Sequence, residues 1–287
     1  MIEHNDYIIN QVSKTLIQAG SAFRNDKITA YKMATERETI PEAKWVLETI
    51  LENAFVAEKR QSPLCDDTGI PHLFLEIGPD KILTSNLIED IHRGVEEGLR
   101  QLPGRPMAID GNDMERIDQS GGLNSDPAAL SPSPLLIKKT NKNILRLHIL
   151  MLGGGPAIRG KTHRVFHQHK VSVVIDEIVN WSIDASGQLG CTPCTLCIGI
   201  GRSQFEASSL MIEAMVYGQY DTQNKMEREI TERVNKSNIG PLGLHGDTTV
   251  LATFLKVGPQ RASGVRIVSL RPCCCIEPRV ACVDLGE

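Results

Sequence analysis

Aromatic residues are scarce in this 287-residue chain, where Phe, Trp and Tyr together make up 4%. A stacking platform for single-stranded nucleic acid needs more of them. An excess of charge of one sign is also missing. Lys and Arg number 31 against 35 Asp and Glu, for a net charge of −4, and there is no long basic run. Neither nucleic acid nor an acidic membrane surface is therefore an expected partner. No window approaches the roughly 20 apolar residues that a membrane span requires. The opening Met1-Ile2-Glu3-His4-Asn5-Asp6 lacks the basic start and apolar stretch of a signal peptide. These absences lead to the expectation of a cytoplasmic protein without a membrane partner. No internal repeat and no coiled-coil pattern occurs.

What is present is an ordinary globular composition, 41% hydrophobic and 23% charged, in a chain long enough to bury a sizeable core. Eight cysteines stand out: Cys65, Cys191, Cys194, Cys197, Cys273, Cys274, Cys275 and Cys282. In a small secreted domain an even count suggests disulfides. In a long cytosolic chain it points to metal or catalysis, because the thiols stay reduced. Any one cysteine also suits a small buried hydrophobe, but the clustering of two groups argues against that for all of them.

Apolar periodicity predicts helix over most of residues 3–60. Ile8, Ile9, Val12, Leu16 and Ile17 recur at helical spacing. After a polar break Pro41 opens a second helix, with Ala43, Trp45, Val46, Ile50, Leu51 and Ala54 on one face. A loop then carries Cys65-Asp66-Asp67-Thr68-Gly69 ahead of a strand from His72 to Ile77. Leu87, Ile88, Ile91, Val95 and Leu99 form the stripe of another helix. Residues 103–143, rich in Gly, Pro, Ser, Asn and Asp, predict a long irregular stretch of the kind that is usually functional or mobile. Leu145 to Leu152 reads as a buried strand running into Gly153-Gly154-Gly155. Helix is expected over 171–181, from 203 or 204 to 217 and over 222–236, and strand over 195–200, 249–256 and 265–270. The mixture predicts an α/β fold with mixed α+β layers.

Three cysteine sites lie far apart: Cys65, the Cys191/Cys194/Cys197 group and the Cys273/Cys274/Cys275 group. Each is expected in a loop at a strand edge, where binding groups concentrate. Thiolates are soft ligands for iron–sulfur clusters and zinc. Cys191-x2-Cys194-x2-Cys197 superficially matches a compact ferredoxin run, but no fourth cysteine with a following proline stands close by. A zinc ribbon needs a second Cys-x2-Cys, which Cys273-Cys274-Cys275 does not provide. One cysteine from each segment gives a different site. Three thiolates can hold three irons of a cubane 4Fe-4S cluster, leaving the fourth iron open to bind a substrate hydroxyl and carboxylate as a Lewis acid. That is dehydratase chemistry.

At this point the sequence resembles a known family, the two-subunit iron–sulfur hydro-lyases of the L(+)-tartrate dehydratase alpha and class I fumarase kind. Pro63-Leu64-Cys65-Asp66-Asp67-Thr68-Gly69 is similar to its Cys-Gln-Asp-Thr-Gly element. Leu189-Gly190-Cys191-Thr192-Pro193, followed by Gly199-Ile200-Gly201, resembles its Ala-Cys-Pro-Pro segment and glycine-rich strand end. Gly240-Pro241-Leu242-Gly243-Leu244-His245-Gly246-Asp247-Thr248-Thr249 resembles its Gly-Pro-Gln-Gly-Leu stretch, and Gly153-Gly154-Gly155 its triple-glycine turn. The order is kept from residue 60 onward.

The resemblance implies a class I fumarase alpha-type cluster-binding domain spanning residues 1–287, with a helical part over 1–60 and a cluster- and substrate-binding part over 61–287. It implies a 4Fe-4S cofactor with Cys65 and Cys191 as ligands. Counting from Gly246-Asp247-Thr248-Thr249 puts the third ligand at Cys273, which is preferred, while the family's Cys-x3-Arg pattern chooses Cys275 with Arg279; Cys274 is the other alternative. Asp67 falls on the catalytic aspartate, though an Asx turn before Thr68-Gly69 also explains an aspartate there. Asp66, Thr68, Gly154, Gly155, Lys161 and Arg279 are the expected substrate-binding residues, with Arg159 close by and backbone N–H groups of the glycine turn cradling a carboxylate. A solvated charged loop accounts equally well for Arg159 and Lys161. The spacing of His163 and His167 suits a helix-borne zinc pair, with His169 beside it, but no carboxylate helper lies between. His245 reads as a structural loop histidine.

The departures are Asp66 in place of Gln, Phe254 and Lys256 in place of His and Glu, and a Cys273–Arg279 segment without the usual aromatic and second arginine. The expected activity is reversible dehydration of a hydroxy di- or tricarboxylate, tartrate-like or malate-like. The chain ends at Glu287 without a beta-type domain, so the expected partners are a beta subunit that supplies the proton-handling group and a second alpha chain. The competing readings are a catalytically silent iron–sulfur redox or sensor module and a zinc-stabilised scaffold.

Overall fold

A computed structural model describes residues 5–286. They form nine α-helices and eight strands in two mixed four-stranded sheets, the mixed α/β architecture that the pattern predicts. Contacts divide the chain into two compact units, one of residues 5–22, 54–153 and 279–286, the other of residues 23–53 and 154–278.

The first unit is built on α1 (Asp6–Ser21), β1 (Ile70–Ile77), α4 (Ser85–Gln101), α5 (Asp113–Asp118), β2 (Leu136–Lys139), β3 (Leu145–Leu152) and β8 (Arg279–Asp284). Its sheet runs β2-β1-β3-β8, with β1 parallel to β2 and antiparallel to β3. Strand alternation sends Leu73, Leu75, Leu147, Ile149, Met151 and Ala281 to one face. There they bury against Ile8, Val12 and Leu16 of α1 and Ile91, Val95 and Leu99 of α4. The two helices approach closely because Gly94 has no side chain: a Cβ there would come within 2.6 Å of Val12 Cβ. The opposite face carries a charged row, Lys138, Glu76, Arg146 and Asp284, in register across the four strands, with Arg146 Nε 2.7 Å from Asp284 Oδ1. Opposite charges side by side help fix that register.

The second unit holds α2 (Asn25–Arg37), α6 (Gly154–Arg159), β4 (Lys161–Phe166), α7 (Val171–Leu189), β5 (Cys194–Gly201), α8 (Gln204–Tyr217), α9 (Lys225–Asn235), β6 (Val250–Val257) and β7 (Val265–Cys273). The helix α3 (Pro41–Arg60) contributes residues 41–53 here and 54–60 to the first unit. The sheet runs β4-β7-β5-β6. The parallel pair β5 and β6 is joined by a crossover through α8 and α9, as parallel strands require. All eight residues of β5 are buried, which is why it reads as a continuous apolar run.

The expected elements are present, with differences. Glu3 and His4, the start of the predicted helical stretch, lie outside the described residues. The polar break before Pro41 is itself helical, as α2. Trp45 is 63% exposed instead of lying with Ala43 and Val46, because it stands two positions, about 200°, around the helix from Ala43. Within residues 103–143 a short helix and β2 interrupt the irregular stretch. β4 and β8 were not predicted. Among the described residues no helix is long and apolar enough to cross a membrane.

Candidate functional site

In the first unit the residues of interest lie on the loop that feeds β1. Leu64 N–H donates to the Gly20 carbonyl at 3.0 Å, anchoring the loop to the end of α1. Gly69 turns the chain with φ +85°, and a Cβ there would stand 2.5 Å from Arg279 Nη2 and 3.0 Å from the Leu152 backbone. Arg279 is buried, donating from Nε to the Met151 carbonyl at 2.8 Å and from Nη1 to the Asp67 carbonyl at 3.1 Å. It thus ties the catalytic-aspartate candidate to β3. Thr68 is buried, and its hydroxyl accepts from Arg105 N–H at 2.9 Å. Arg105 also donates from Nε to the Asp66 carbonyl at 2.8 Å and stands 3.6 Å from the Asp66 carboxylate. The Cys65 thiol donates to Asp66 at 3.3 Å, and that bond, with the Arg105 charge, holds the Asp66 carboxyl below the usual carboxylate range. Cys65 and Asp67 are half-buried. Arg105 escaped the sequence analysis. The available signal was a lone arginine bracketed by Gly104 and Pro106, in a segment already suspected of function because it is irregular.

In the second unit the cysteine groups separate sharply. α7 ends at Leu189, Gly190 follows with φ +77°, and Cys191-Thr192-Pro193 leads into β5 with Cys191 exposed. Thr192 is buried, its hydroxyl donating to the Gly240 carbonyl at 2.6 Å and its carbonyl accepting from Leu242 N–H at 3.1 Å. The Gly240–Thr249 loop thus braces the Cys191 loop. Its own far end is held by the Glu38 carboxylate, which accepts from Asp247 N–H at 3.0 Å. Cys194 and Cys197 lie inside β5, fully buried, three residues apart and so on opposite faces. Burial pushes the Cys194 thiol up to about 12. Neither suits a compact three-cysteine loop.

Cys273 closes β7 opposite Thr195, fully buried, with its Sγ 3.6 Å from Cys197 Sγ. Burial, with Cys197 beside it, pushes this thiol well up. Cys275 lies in the turn beyond, half-buried, and its N–H donates to the Cys191 carbonyl at 2.8 Å. Cys274, buried, shares a hydrogen bond with the Cys275 thiol, which lowers the Cys274 thiol and raises that of Cys275. Behind this turn stand two buried polar side chains of α2. Lys27 Nζ donates to the Glu277 carbonyl at 2.8 Å, and the Tyr31 hydroxyl to the Cys275 carbonyl at 2.7 Å. Burial pulls the Lys27 ammonium down to about 8, while the thiols of Cys274, Cys275 and Cys273 push it back.

The remaining predicted residues fall as follows. Gly154 and Gly155 are exposed at the start of the short α6, and a Cβ on Gly155 would meet nothing within 4 Å. Lys161 is exposed at the start of β4, its Nζ 5.7 Å from the Trp181 ring centre. Arg159 donates to the Gln188 carbonyl at 3.1 Å. The helix-borne zinc pair does not form: His163 is on β4, and His167 lies beyond the strand with Nε2 2.9 Å from the Ser263 carbonyl. His169 N–H donates to His167 Nδ1 at 3.0 Å, and His245 Nδ1 lies 3.2 Å from the Asn238 carbonyl. Phe254 is buried edge-on to Tyr220 at 5.0 Å, and Lys256 pairs with Glu213 at 3.1 Å. Both departures from the expected pattern are absorbed by packing around β6.

Among the described residues no three His, Cys, Asp or Glu side chains are gathered closely enough to hold a single metal ion. A cubane asks for something else, since its thiolates bind different irons and need not converge on one point. The second unit supplies two thiols of the chemical kind such a group takes. Cys191 is exposed and Cys275 half-buried, on loops joined backbone to backbone, with the Lys27 cation behind them.

Comparison with known proteins defines the class first. The chain matches a model of hydro-lyases, described as Fumarate hydratase (Fumerase), over residues 9–283. The chain belongs to the fumarate hydratase (Fumerase) family and is an enzyme of the hydro-lyase class. It is similar to a Methanocaldococcus jannaschii protein named "Putative L(+)-tartrate dehydratase subunit alpha", with 28% identity over 286 residues, covering 95% of this chain and 93% of that protein. It is also similar to the L(+)-tartrate dehydratase subunit alpha of Escherichia coli K12, at 22% identity over 258 residues, covering 87% of this chain and 82% of that one. The Shigella boydii protein of the same name matches to the same extent.

Proposed function

We propose that this chain is the alpha subunit of a 4Fe-4S-dependent hydro-lyase that reversibly dehydrates a hydroxy di- or tricarboxylate of tartrate or malate type, working with a beta subunit and with alpha chains paired in the assembly. The observation that carries the reading is the hydrogen bond from Cys275 N–H to the Cys191 carbonyl, 2.8 Å. It brings together loops from two of the three cysteine segments, and each contributes the most exposed cysteine of its group. Cys65, Cys191 and Cys275 are the proposed ligands. Cys275 takes precedence over Cys273 because the latter is enclosed beside Cys197 at the end of β7. When bound, such a cluster supplies an open iron as a Lewis acid for the leaving hydroxyl.

The chain's own residues do the rest. Arg105, partly exposed beside the Cys65 loop, offers a planar cation to a substrate carboxylate. Gly154 and Gly155 leave their backbone open to close approach by a second one, with Lys161 following on β4. Arg279 and Thr68 hold the loop that presents Asp67. Asp67 orients the substrate or assists removal of its carbon-bound proton. Asp66, ionised and beside Arg105, sets how much positive charge the substrate meets.

Anaerobic purification followed by metal and sulfide analysis tests the reading. About four iron and four sulfide per chain are expected for a 4Fe-4S cluster. Stoichiometric zinc without iron would overturn it. Activity with tartrate, malate or fumarate after addition of the beta chain separates a hydro-lyase from a catalytically silent cluster protein.

A further inference from the structure

Helix α2 has an unusual buried face. Phe23 just before it, then Lys27 and Tyr31, follow at four-residue intervals and so line one side. All three are buried, Lys27 at 1% exposure. Phe23 and Tyr31 stack at 5.7 Å, and Lys27 Nζ lies 4.3 Å from the Phe23 ring centre. A methionine would fill the same space without desolvating a charge, so packing alone does not account for a lysine here. What the two polar tips face does account for them. Lys27 donates to the Glu277 carbonyl and Tyr31 to the Cys275 carbonyl, at 2.8 and 2.7 Å.

The turn they grip is held from other sides as well. Glu277 N–H donates to the Cys274 carbonyl at 2.9 Å. The fully buried Glu277 carboxylate receives Arg271 Nη2 at 3.0 Å and Nε at 3.2 Å. Cys275 N–H reaches the Cys191 carbonyl at 2.8 Å. Every hydrogen-bonding group of the turn named here thus has a partner, and two of those partners are buried side chains from successive turns of α2.

We propose that Lys27 and Tyr31 are positioning residues for the iron–sulfur cluster, fixing the Cys275 turn and placing one buried positive charge behind its thiolate. The inference rests on the cluster reading above and extends it to a helix that carries no cysteine. Groups that hold metal ligands in place typically contribute 10–100-fold to metal affinity. The two side chains make separable contributions. Tyr31 supplies a hydrogen bond only, whereas Lys27 supplies a hydrogen bond and a charge that favours the more negative, reduced cluster.

The test uses the full chain, reconstituted anaerobically, as wild type, Tyr31→Phe, Lys27→Met and the control Lys32→Met, which makes the same chemical change at an exposed position of the same helix. Three readouts are taken: the rate of iron loss to a chelator, the cluster reduction potential, and hydrogen exchange of residues 273–279 in the cluster-free chain. Tyr31→Phe and Lys27→Met should each speed iron loss by about 10–100-fold and raise exchange in that segment. Only Lys27→Met should move the potential, to more negative values. Tyr31→Phe, which deletes a single oxygen, carries the test if Lys27→Met does not fold. If wild type binds its cluster and both variants match Lys32→Met, the positioning role is overturned and the cluster reading stands. If wild type binds no cluster under conditions where its fold is intact, both fall.

Discussion

Cys273, Cys274 and Cys275 are adjacent in sequence and occupy three different environments, and backbone geometry rather than spacing separates them. Cys273 is the last residue of a strand, so its side chain points into the sheet packing against Cys197. Two residues later the chain has left the strand, and Cys275 sits beside the Cys191 loop. The count from Gly246–Thr249 and the Cys-x3-Arg pattern disagreed in the sequence because neither carries the strand end. Cys275→Ser should abolish the cluster. Cys273→Ser should keep it while lowering thermal stability, since it places a hydroxyl where a buried thiol packs. Iron analysis of both variants decides between them. Asp67→Asn keeps shape but removes charge and basicity. It should leave iron content and beta-subunit binding intact and lower kcat by at least ~100-fold in the reconstituted enzyme. Retention of near-normal turnover would reduce Asp67 to a turn residue.

At the scale of elements, what was legible followed apolar periodicity. α1, α4, β3, β5 and α8 lie where their hydrophobic patterns put them, because those patterns bury against one core each. α2 was missed because its buried face includes Lys27 and Tyr31, which read as polar. β4 was missed because five of its six residues are exposed and three are Lys, His or Arg. β8 begins with a buried arginine and was hidden by the cysteines before it. The first sheet carries a testable consequence. His148 on β3 and Glu76 on β1 are both buried, 2.9 Å apart, beside Arg146 and Asp284. Burial lowers the His148 imidazolium from its ordinary 6.5, against the opposing pull of Glu76. The unfolded chain then binds the proton more readily than the folded one. The neutral histidine's contribution is therefore complete above the ordinary value and is lost as pH falls below it. Between about pH 7.5 and about pH 5.5, the melting temperature of wild type should drop more than that of His148→Gln. Parallel pH profiles in calorimetry would show that Glu76 cancels the burial penalty.

At the scale of the whole molecule the question is what this chain does alone. A dehydration needs a group to take a carbon-bound proton as well as one to release the hydroxyl. Of the loop histidines, His167 has both ring nitrogens engaged, Nε2 2.9 Å from the Ser263 carbonyl and Nδ1 accepting from His169 N–H at 3.0 Å. The acidic candidate, Asp67, sits on a loop whose backbone is fixed by Arg279. On the proposed reading this chain supplies cationic groups for carboxylates, thiols for a cluster and two adjacent carboxylates, Asp66 and Asp67, near the first thiol, while the proton-handling group is expected from the beta chain. The relatives it resembles over 87–95% of its length are themselves named as alpha subunits, which is the ground for the proposed beta partner. The expected outcome is that the purified chain carries its cluster and binds a hydroxy dicarboxylate, but turns it over at least ~100-fold more slowly than when the beta chain is added. Native mass spectrometry of the mixture should show two alpha and two beta chains, with stoichiometric addition of beta restoring the rate. Full turnover by the alpha chain alone would place the base within this polypeptide, and Asp67→Asn would then show whether it is Asp67.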